Sequence, residues 1–362
     1  MYRFLIYISY SYALPIGQPL VDEITSRGYE VKWFADEDEG RKGLLTKPNV
    51  LNTVEEVLKY NPHIVLTISD IVADFIPGLK VQIFHGFLTK KRMDRNQLFD
   101  HFRIRGFFDL YCTQGPSTTS VFKKLADKYG SFEVAETGWS KVDPLFPLEK
   151  IPPKNKPVIL ISSTFTVKVS MAYNDSVFNE IKRLSNTGKY DFLMVLHPKI
   201  YIETREKWKS LNNENFNFYD TTDLVPLFKK SDIMFSDNTS AIQEFLLQAK
   251  PVVVFNHTVN NDYLIHVHES QNIENAFKTA LEYPENVISK TKEFISNLHP
   301  YFDGKSSKRV IDASIAQLHK DKSHLKNKPL NLIRKFKIRK RLKFFTTNTY
   351  DKPLTLKKEE II

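Results

Sequence analysis

Apolar runs a few residues long alternate along this chain with segments whose apolar positions return every three or four residues. The runs at 2–8, 30–34, 63–68, 80–84, 110–113 and 132–135 predict buried strands. The helical periodicity at 20–27, 54–60 and 117–128 predicts helices between them, and the acidic stretch 36–39 reads as an exposed loop. Strands that are apolar throughout, rather than alternating, imply a parallel sheet covered on both faces by its crossover helices. The pattern breaks over 143–157, where five prolines and several lysines make a linker by composition. It resumes at 158–162, 192–196, 233–235 and 252–255. The expected organisation is therefore a Rossmann-like α/β domain over 1–145, a linker over 146–157 and a second Rossmann-like domain over 158–318. A tail follows over 319–362. Two α/β domains of similar size are expected to face a central cleft, with ligands at the carboxyl ends of the strands.

The segment 231–255, SDIMFSDNTSAIQEFLLQAKPVVVF, carries the most chemistry. A short strand enters a polar turn of Ser236, Asp237, Asn238, Thr239 and Ser240, and a helix over 241–248 follows. Hydroxyls delivered to a helix N-terminus suit an anion. Glu244 lies one turn deeper on the same face, where it suits a ribose diol. An ordinary N-capped helix in an α/β domain would use the same residue types, so the segment alone leaves both readings open.

Other candidates stand at strand ends. His85 follows the run at 80–84 and precedes Gly86, with Lys90, Lys91 and Arg92 close behind. His197 follows the run at 192–196, with Lys199 two residues on. Gly138 ends another strand, ahead of Lys141 and Asp143. A lone histidine at a strand end is often structural; one per domain, each beside a cation, points to acid–base or phosphate chemistry. No Walker A loop, dinucleotide glycine fingerprint or HExxH motif is present, so neither a cofactor nor a metal is indicated.

Charge changes the picture only at the C-terminal end. Residues 321–345 hold ten Lys and Arg against Asp321 alone, in a chain whose net charge is +10, so the rest is nearly neutral. Interleaved Leu330, Ile333, Phe336 and Ile338 make this an amphipathic basic tail. It suits an anionic membrane surface at about 1 kcal/mol per nearby charge. A solvated terminus or a nucleic-acid tail has the same charge, and the membrane is the reading favoured here. A single cysteine, Cys112, a start without a leader-like cleavage site and the lack of a membrane-length apolar run predict a cytoplasmic protein.

Five short motifs occur in order: FHGFLTKK from Phe84, ETGWSKVDPLF from Glu136, VLHPK from Val195, SDNTSAIQEFLLQAKPVVVF from Ser236 and YFDGKSSKRVID from Tyr301. Together they resemble the CDP-glycerol glycerophosphotransferase family, the teichoic-acid-type polymerases and primases with a GT-B-like fold. The resemblance implies transfer of glycerol phosphate, or a related alditol phosphate, from a CDP-alditol to a hydroxyl of a lipid-linked or polysaccharide acceptor. CMP leaves, and the product belongs to a teichoic acid or capsule. By the same resemblance His85 is the general base, while His197, Thr239 and Ser240 hold the pyrophosphate. Glu244 takes the ribose, and Asp303, Gly304 and Lys305 close over the nucleotide. Lys90, Lys91 and Arg92 meet the acceptor or the transferring phosphate. Nucleic acid is not an expected partner, and the protein is expected at the inner face of the cell membrane. Lys141 stands where the family commonly has Arg, which removes a bidentate phosphate contact. The alternative is a GT-B glycosyltransferase or nucleotide-sugar 2-epimerase using a UDP- or CMP-sugar. A non-catalytic nucleotide-binding protein is the third reading, disfavoured by a candidate base in each domain.

Overall fold

The apolar runs assemble into two six-stranded sheets, each parallel throughout, in a computed structural model that describes residues 1–88, 100–149 and 155–361. The chain divides into two compact units, Met1–Pro144 with Leu298–Ile362, and Leu145–Asn297.

In the first unit, β1 (Arg3–Ile8), α1 (Leu14–Ser26), β2 (Glu30–Ala35), α2 (Asp38–Leu44), α3 (Val54–Tyr60) and β3 (Ile64–Thr67) are followed by β4 (Leu79–Gln82), β5 (Leu110–Thr113), α4 (Pro116–Tyr129) and β6 (Glu133–Glu136). The strand order is β2-β1-β3-β4-β5-β6. Strands β1, β3 and β5 are buried along almost their whole length, as their apolar runs require, and β4 is buried with them although it carries Lys80 and Gln82. Two local differences from the sequence expectation have plain causes. Helix α1 begins six residues early because Pro15 sits in its first turn, where no amide hydrogen is needed. The acidic stretch opens α2 instead of a loop: Asp38 and Glu39 fall in the first turn and Arg41 and Lys42 in the last, each favoured by the helix dipole.

The second unit contains β7 (Val158–Ser163), α5 (Asp175–Ser185), β8 (Asp191–Leu196), α6 (Ile202–Lys209), β9 (Phe216–Phe218), α7 (Val225–Lys230), β10 (Ile233–Ser236), α8 (Ala241–Leu246), β11 (Val252–Phe255), β12 (Ile265–Val267) and α9 (Ile273–Leu281). Helix α10 (Glu285–Leu298) then runs to its boundary. Its order, β12-β11-β10-β7-β8-β9, is that of a doubly wound dinucleotide fold. The direction of winding reverses between β7 and β10, so a crevice opens beyond their carboxyl ends. In the first unit the corresponding reversal lies between β1 and β3.

After α10 the chain returns to the first unit. Helix α11 (Ser306–His319) packs against α1 and the strands β3, β4 and β5. Helix α12 (Leu332–Leu342) places Ile338, 1% exposed, in that unit's apolar core. The segment expected as the end of the second domain and a detached tail thus completes the first unit. Its cations are the reason: Arg339 forks onto Asp74 at 2.6 and 2.9 Å, and Arg341 reaches Asp36 at 2.9 Å. Lys328 pairs with Asp109 at 2.6 Å.

Candidate active site

At the reversal point of the second unit the ends of β7 and β10 are tied by one carboxylate. Asp237, fully buried, accepts from the backbone amides of Thr164 at 3.0 Å, Met171 at 2.9 Å and Asn238 at 2.5 Å, and from the Ser163 hydroxyl. Burial pushes its carboxyl above the ordinary carboxylate value, against the pull of these donors. The Ser236 hydroxyl donates to Ser162 O at 2.7 Å. Ser236 and Asp237 are therefore consumed in shaping the turn, and what the turn presents outward is Asn238, Thr239 and Ser240. Asn238 Oδ1 accepts from the Thr258 amide and hydroxyl at 3.0 and 2.7 Å, and Thr239 Oγ1 accepts weakly from the Ala241 amide at 3.4 Å. Ser240 is exposed and makes no side-chain cap. Helix α8 is six residues long, shorter than the expected 241–248, so hydroxyls rather than a long helix dipole characterise this turn. Glu244 is buried, 5% exposed, on that helix.

His197 begins the turn after β8. Its Nδ1 accepts the Lys199 amide hydrogen at 3.1 Å, which in a neutral ring leaves the proton on Nε2. The ring lies 4.5 Å from Phe165, centroid to centroid, and the Lys199 ammonium sits 5.5 Å over the same phenyl. Phe165 is 42% exposed two residues beyond β7, so an aromatic face, an imidazole and a cation stand together at the reversal point.

In the first unit His85 is presented by a strained backbone. Phe84 adopts φ +66°, a left-handed conformation that a bulky residue avoids. Its ring is wedged edge-on to Phe122 at 5.2 Å, and its carbonyl accepts Trp139 Nε1 at 3.2 Å. That kink turns the chain out of the sheet. His85 Nδ1 comes to 3.7 Å from Asp70 Oδ1, and Arg105 holds the other Asp70 oxygen at 3.1 Å. The Tyr12 ring lies 5.9 Å from the imidazole. Gly86 accepts from Gln114 Nε2 at 2.8 Å through its carbonyl. Nearby, Ser69 donates to Ser9 and Ser9 to buried Asp36, at 2.7 and 2.6 Å, bridging the reversal between β1 and β3.

The remaining expected site residues fall elsewhere. Lys90, Lys91 and Arg92 lie outside the described residues. Gly138, at φ +79°, is packed: a Cβ there would meet Ser306 Oγ at 2.4 Å and His299 Nε2 at 2.9 Å. Asp143, 8% exposed, caps α11 by accepting the amides of Ser306 and Ser307 at 2.8 and 2.6 Å. The Lys141 ammonium sits 5.3 Å over the Trp139 ring. Asp303 is engaged bidentately by Arg309 at 2.8 and 3.0 Å and turns the chain through Gly304 and Lys305 into α11. These residues, and the turn 303–305 with them, belong to the first unit and seat α11 there. Asp70, Arg105, Phe165 and Ser163 were not singled out from sequence. All except Arg105 stand within three residues of a strand end, the signal that would have found them. Among the described residues no group of three or more His, Cys, Asp or Glu side chains is arranged to hold a metal ion.

No family model matches the chain, and no curated protein matches it. Solved structures do. The Staphylococcus aureus MnaA–UDP structure is 16% identical, with a TM-score of 0.60 over 87% of this chain and 96% of its own. A putative UDP-N-acetylglucosamine 2-epimerase from Listeria monocytogenes is 13% identical, with a TM-score of 0.62 over 88% and 98%. A variant of the wall teichoic acid polymerase TagF, soaked with CDPG, is 13% identical, with a TM-score of 0.61 over 86% and 88%. At such identities the likeness concerns the fold: this is a GT-B-like α/β chain with two Rossmann-like units.

Proposed function

We propose that the protein is an enzyme of the GT-B class that transfers glycerol phosphate, or a related alditol phosphate, from a CDP-alditol to a hydroxyl of a lipid-linked or polysaccharide acceptor. The acceptor oxygen attacks the β-phosphorus, the bond from that phosphorus to the bridging oxygen breaks, and CMP departs with the electron pair. His85 takes the acceptor proton, and Asp70, set by Arg105, orients the imidazole. The observation that carries this reading is the left-handed Phe84, pinned by Trp139, which holds a histidine out at a strand end beside a carboxylate. A core histidine needs no such backbone. His197, Thr239 and Ser240 bind the donor's phosphates, with Lys199 supplying charge, and Glu244 takes the ribose. Transfer of this kind relies on positioning and charge neutralisation more than on covalent help. The order of the five motifs and the shared fold with TagF support it.

The second reading is a nucleotide-sugar 2-epimerase or glycosyltransferase, favoured by the equally extensive likeness to MnaA and the Listeria enzyme. Nucleotide release separates the two. Wild type and His85→Ala are incubated with CDP-glycerol, CDP-ribitol, UDP-N-acetylglucosamine and CMP-sugars, each with a phosphoglycerol acceptor. CMP released from a CDP-alditol by wild type alone supports the phosphotransferase. Turnover of a UDP-sugar with none of a CDP-alditol would replace it by the second reading.

A further inference from the structure

Helix α12 carries apolar side chains on its outer face as well as on its inner one. Its cations Lys335, Arg339 and Arg341 face the first unit, where Lys335 pairs with Asp351, Arg339 with Asp74 and Arg341 with Asp36 and Glu37. Ile338 and Leu342 pack inward with them, but three large apolar side chains face away: Leu332 is 68% exposed, Ile333 75% and Phe336 58%. Leu330 and Phe345, 73% and 65% exposed, extend this surface at either end, and the Phe336 and Phe345 rings lie 6.2 Å apart. On a helix, positions 332, 333, 336, 337 and 340 share one face, so exposed Lys337 and Lys340 rim the apolar patch. A helix meant for water would carry the opposite arrangement. Contiguous exposed apolar residues on a single helix face mark a surface that something else covers.

We propose that the outer face of α12 docks onto an anionic lipid bilayer, with Leu332, Ile333 and Phe336 entering the acyl boundary while Lys337 and Lys340 meet lipid phosphates. Charge complementarity selects this occupant. No acid occurs between Asp321 and Asp351, so two copies of the face would repel each other. A nucleic acid would satisfy the lysines and leave the apolar side chains in water. The tail is thus not a loose polybasic tether. Lys322, Lys328, Lys335, Arg339 and Arg341 are committed to the body of the unit, and they hold the helix so that its apolar side stays outward. The helix start is also tied towards the candidate base: Asn331 Nδ2 donates to Arg105 O at 2.7 Å, and Arg105 holds Asp70. The proposal does not depend on which donor the enzyme uses.

The test is co-sedimentation of the full chain with phosphatidylglycerol–phosphatidylcholine vesicles and with phosphatidylcholine vesicles. The variants are a combined Leu332→Ser, Ile333→Ser, Phe336→Ser protein and a Lys337→Gln, Lys340→Gln protein, each checked for an unchanged melting temperature. Wild type is expected to bind the anionic vesicles and to prefer them over neutral ones. The serine variant is expected to lose about tenfold or more in affinity, and the glutamine variant to lose the preference for anionic lipid. Wild type that stays in the supernatant overturns the proposal, as does a serine variant that binds like wild type. Gel filtration covers the remaining case: a wild-type dimer that the serine variant converts to a monomer, without vesicle binding by either, makes the face a self-association surface and rejects the lipid.

Discussion

His85 and Asp70 face each other across 3.7 Å, a carboxylate from the end of β3 beside an imidazole from the end of β4. Arg105, on the far oxygen of Asp70 at 3.1 Å, keeps that carboxylate from rotating away. The separation is longer than a hydrogen bond, as is common before substrate closes such a pair. Asp70→Asn is therefore expected to lower kcat about ten- to a hundredfold while leaving the KM for the nucleotide donor within about twofold. Equal losses in kcat and donor binding, or a lowered melting temperature that accounts for the loss, would remove Asp70 from this role.

Asp237 predicts a different phenotype. Its carboxylate gathers three backbone amides and the Ser163 hydroxyl, and no part of it is exposed. Asp237→Ala leaves those buried donors without an acceptor and is expected to destabilise the second unit by about 3–5 kcal/mol. Denaturant unfolding should show this even without substrate. A variant with wild-type stability and impaired donor binding would instead make Asp237 a ligand-contacting residue.

Stability should also fall on mild acidification. Burial lowers the His299 pKa from 6.5 to about 4, and its Nε2 accepts the Trp139 amide at 3.0 Å, which requires the neutral ring. The unfolded chain takes up that proton below its own value, so the contribution is complete above pH 6.5 and is lost progressively as the pH drops towards 4. The loss reaches about 3 kcal/mol at the low end. His63, lowered to about 4 for the same first reason, acts in the same direction with less weight because it is less deeply buried. A His299→Gln protein should show a shallower decline between pH 7 and 5 than wild type; identical slopes would discount His299.

Removing residues 321–362 is expected to unpack the first unit rather than release a tether. The deletion strips Ile338 from the core and leaves Asp74, Asp109 and Asp36, all buried, without Arg339, Lys328 and Arg341. A single orphaned buried charge costs about 3–5 kcal/mol, a large part of a domain's usual stability. Low soluble yield and loss of the near-ultraviolet circular dichroism of the buried aromatics would agree. A soluble truncated protein with an unchanged spectrum would contradict it.

Most central strands were legible because they are short apolar runs bounded by polar residues, and 110–113 and 252–255 match residue for residue. The edge strands β9 and β12, three residues each, have too little pattern to register. The destination of the C-terminal segment was hidden for another reason. Its partners Asp36 and Asp74 lie more than 250 positions earlier, and no local periodicity can report a pairing at that range. The same holds at the candidate site. Histidines at strand ends are visible in sequence, but the carboxylate beside His85 becomes visible only when β3 and β4 are laid side by side. Gly138 and Asp143 had the residue types of a ligand loop, and the neighbours that fill them, Ser306, Ser307 and His299, arrive from the far end of the chain.

That a late segment completes the first unit has a consequence for biosynthesis. The second unit is one unbroken stretch, Leu145–Asn297, and can close as soon as it leaves the ribosome. The first unit starts earlier and must wait: Asp36 meets Arg341 only after 305 further residues have been made. At the usual pace of translation that is roughly fifteen seconds to a minute in which Asp36 waits for its partner, while the strands already made lack α12. The part synthesised first is finished last, so the nascent N-terminal sheet is the species a chaperone would meet.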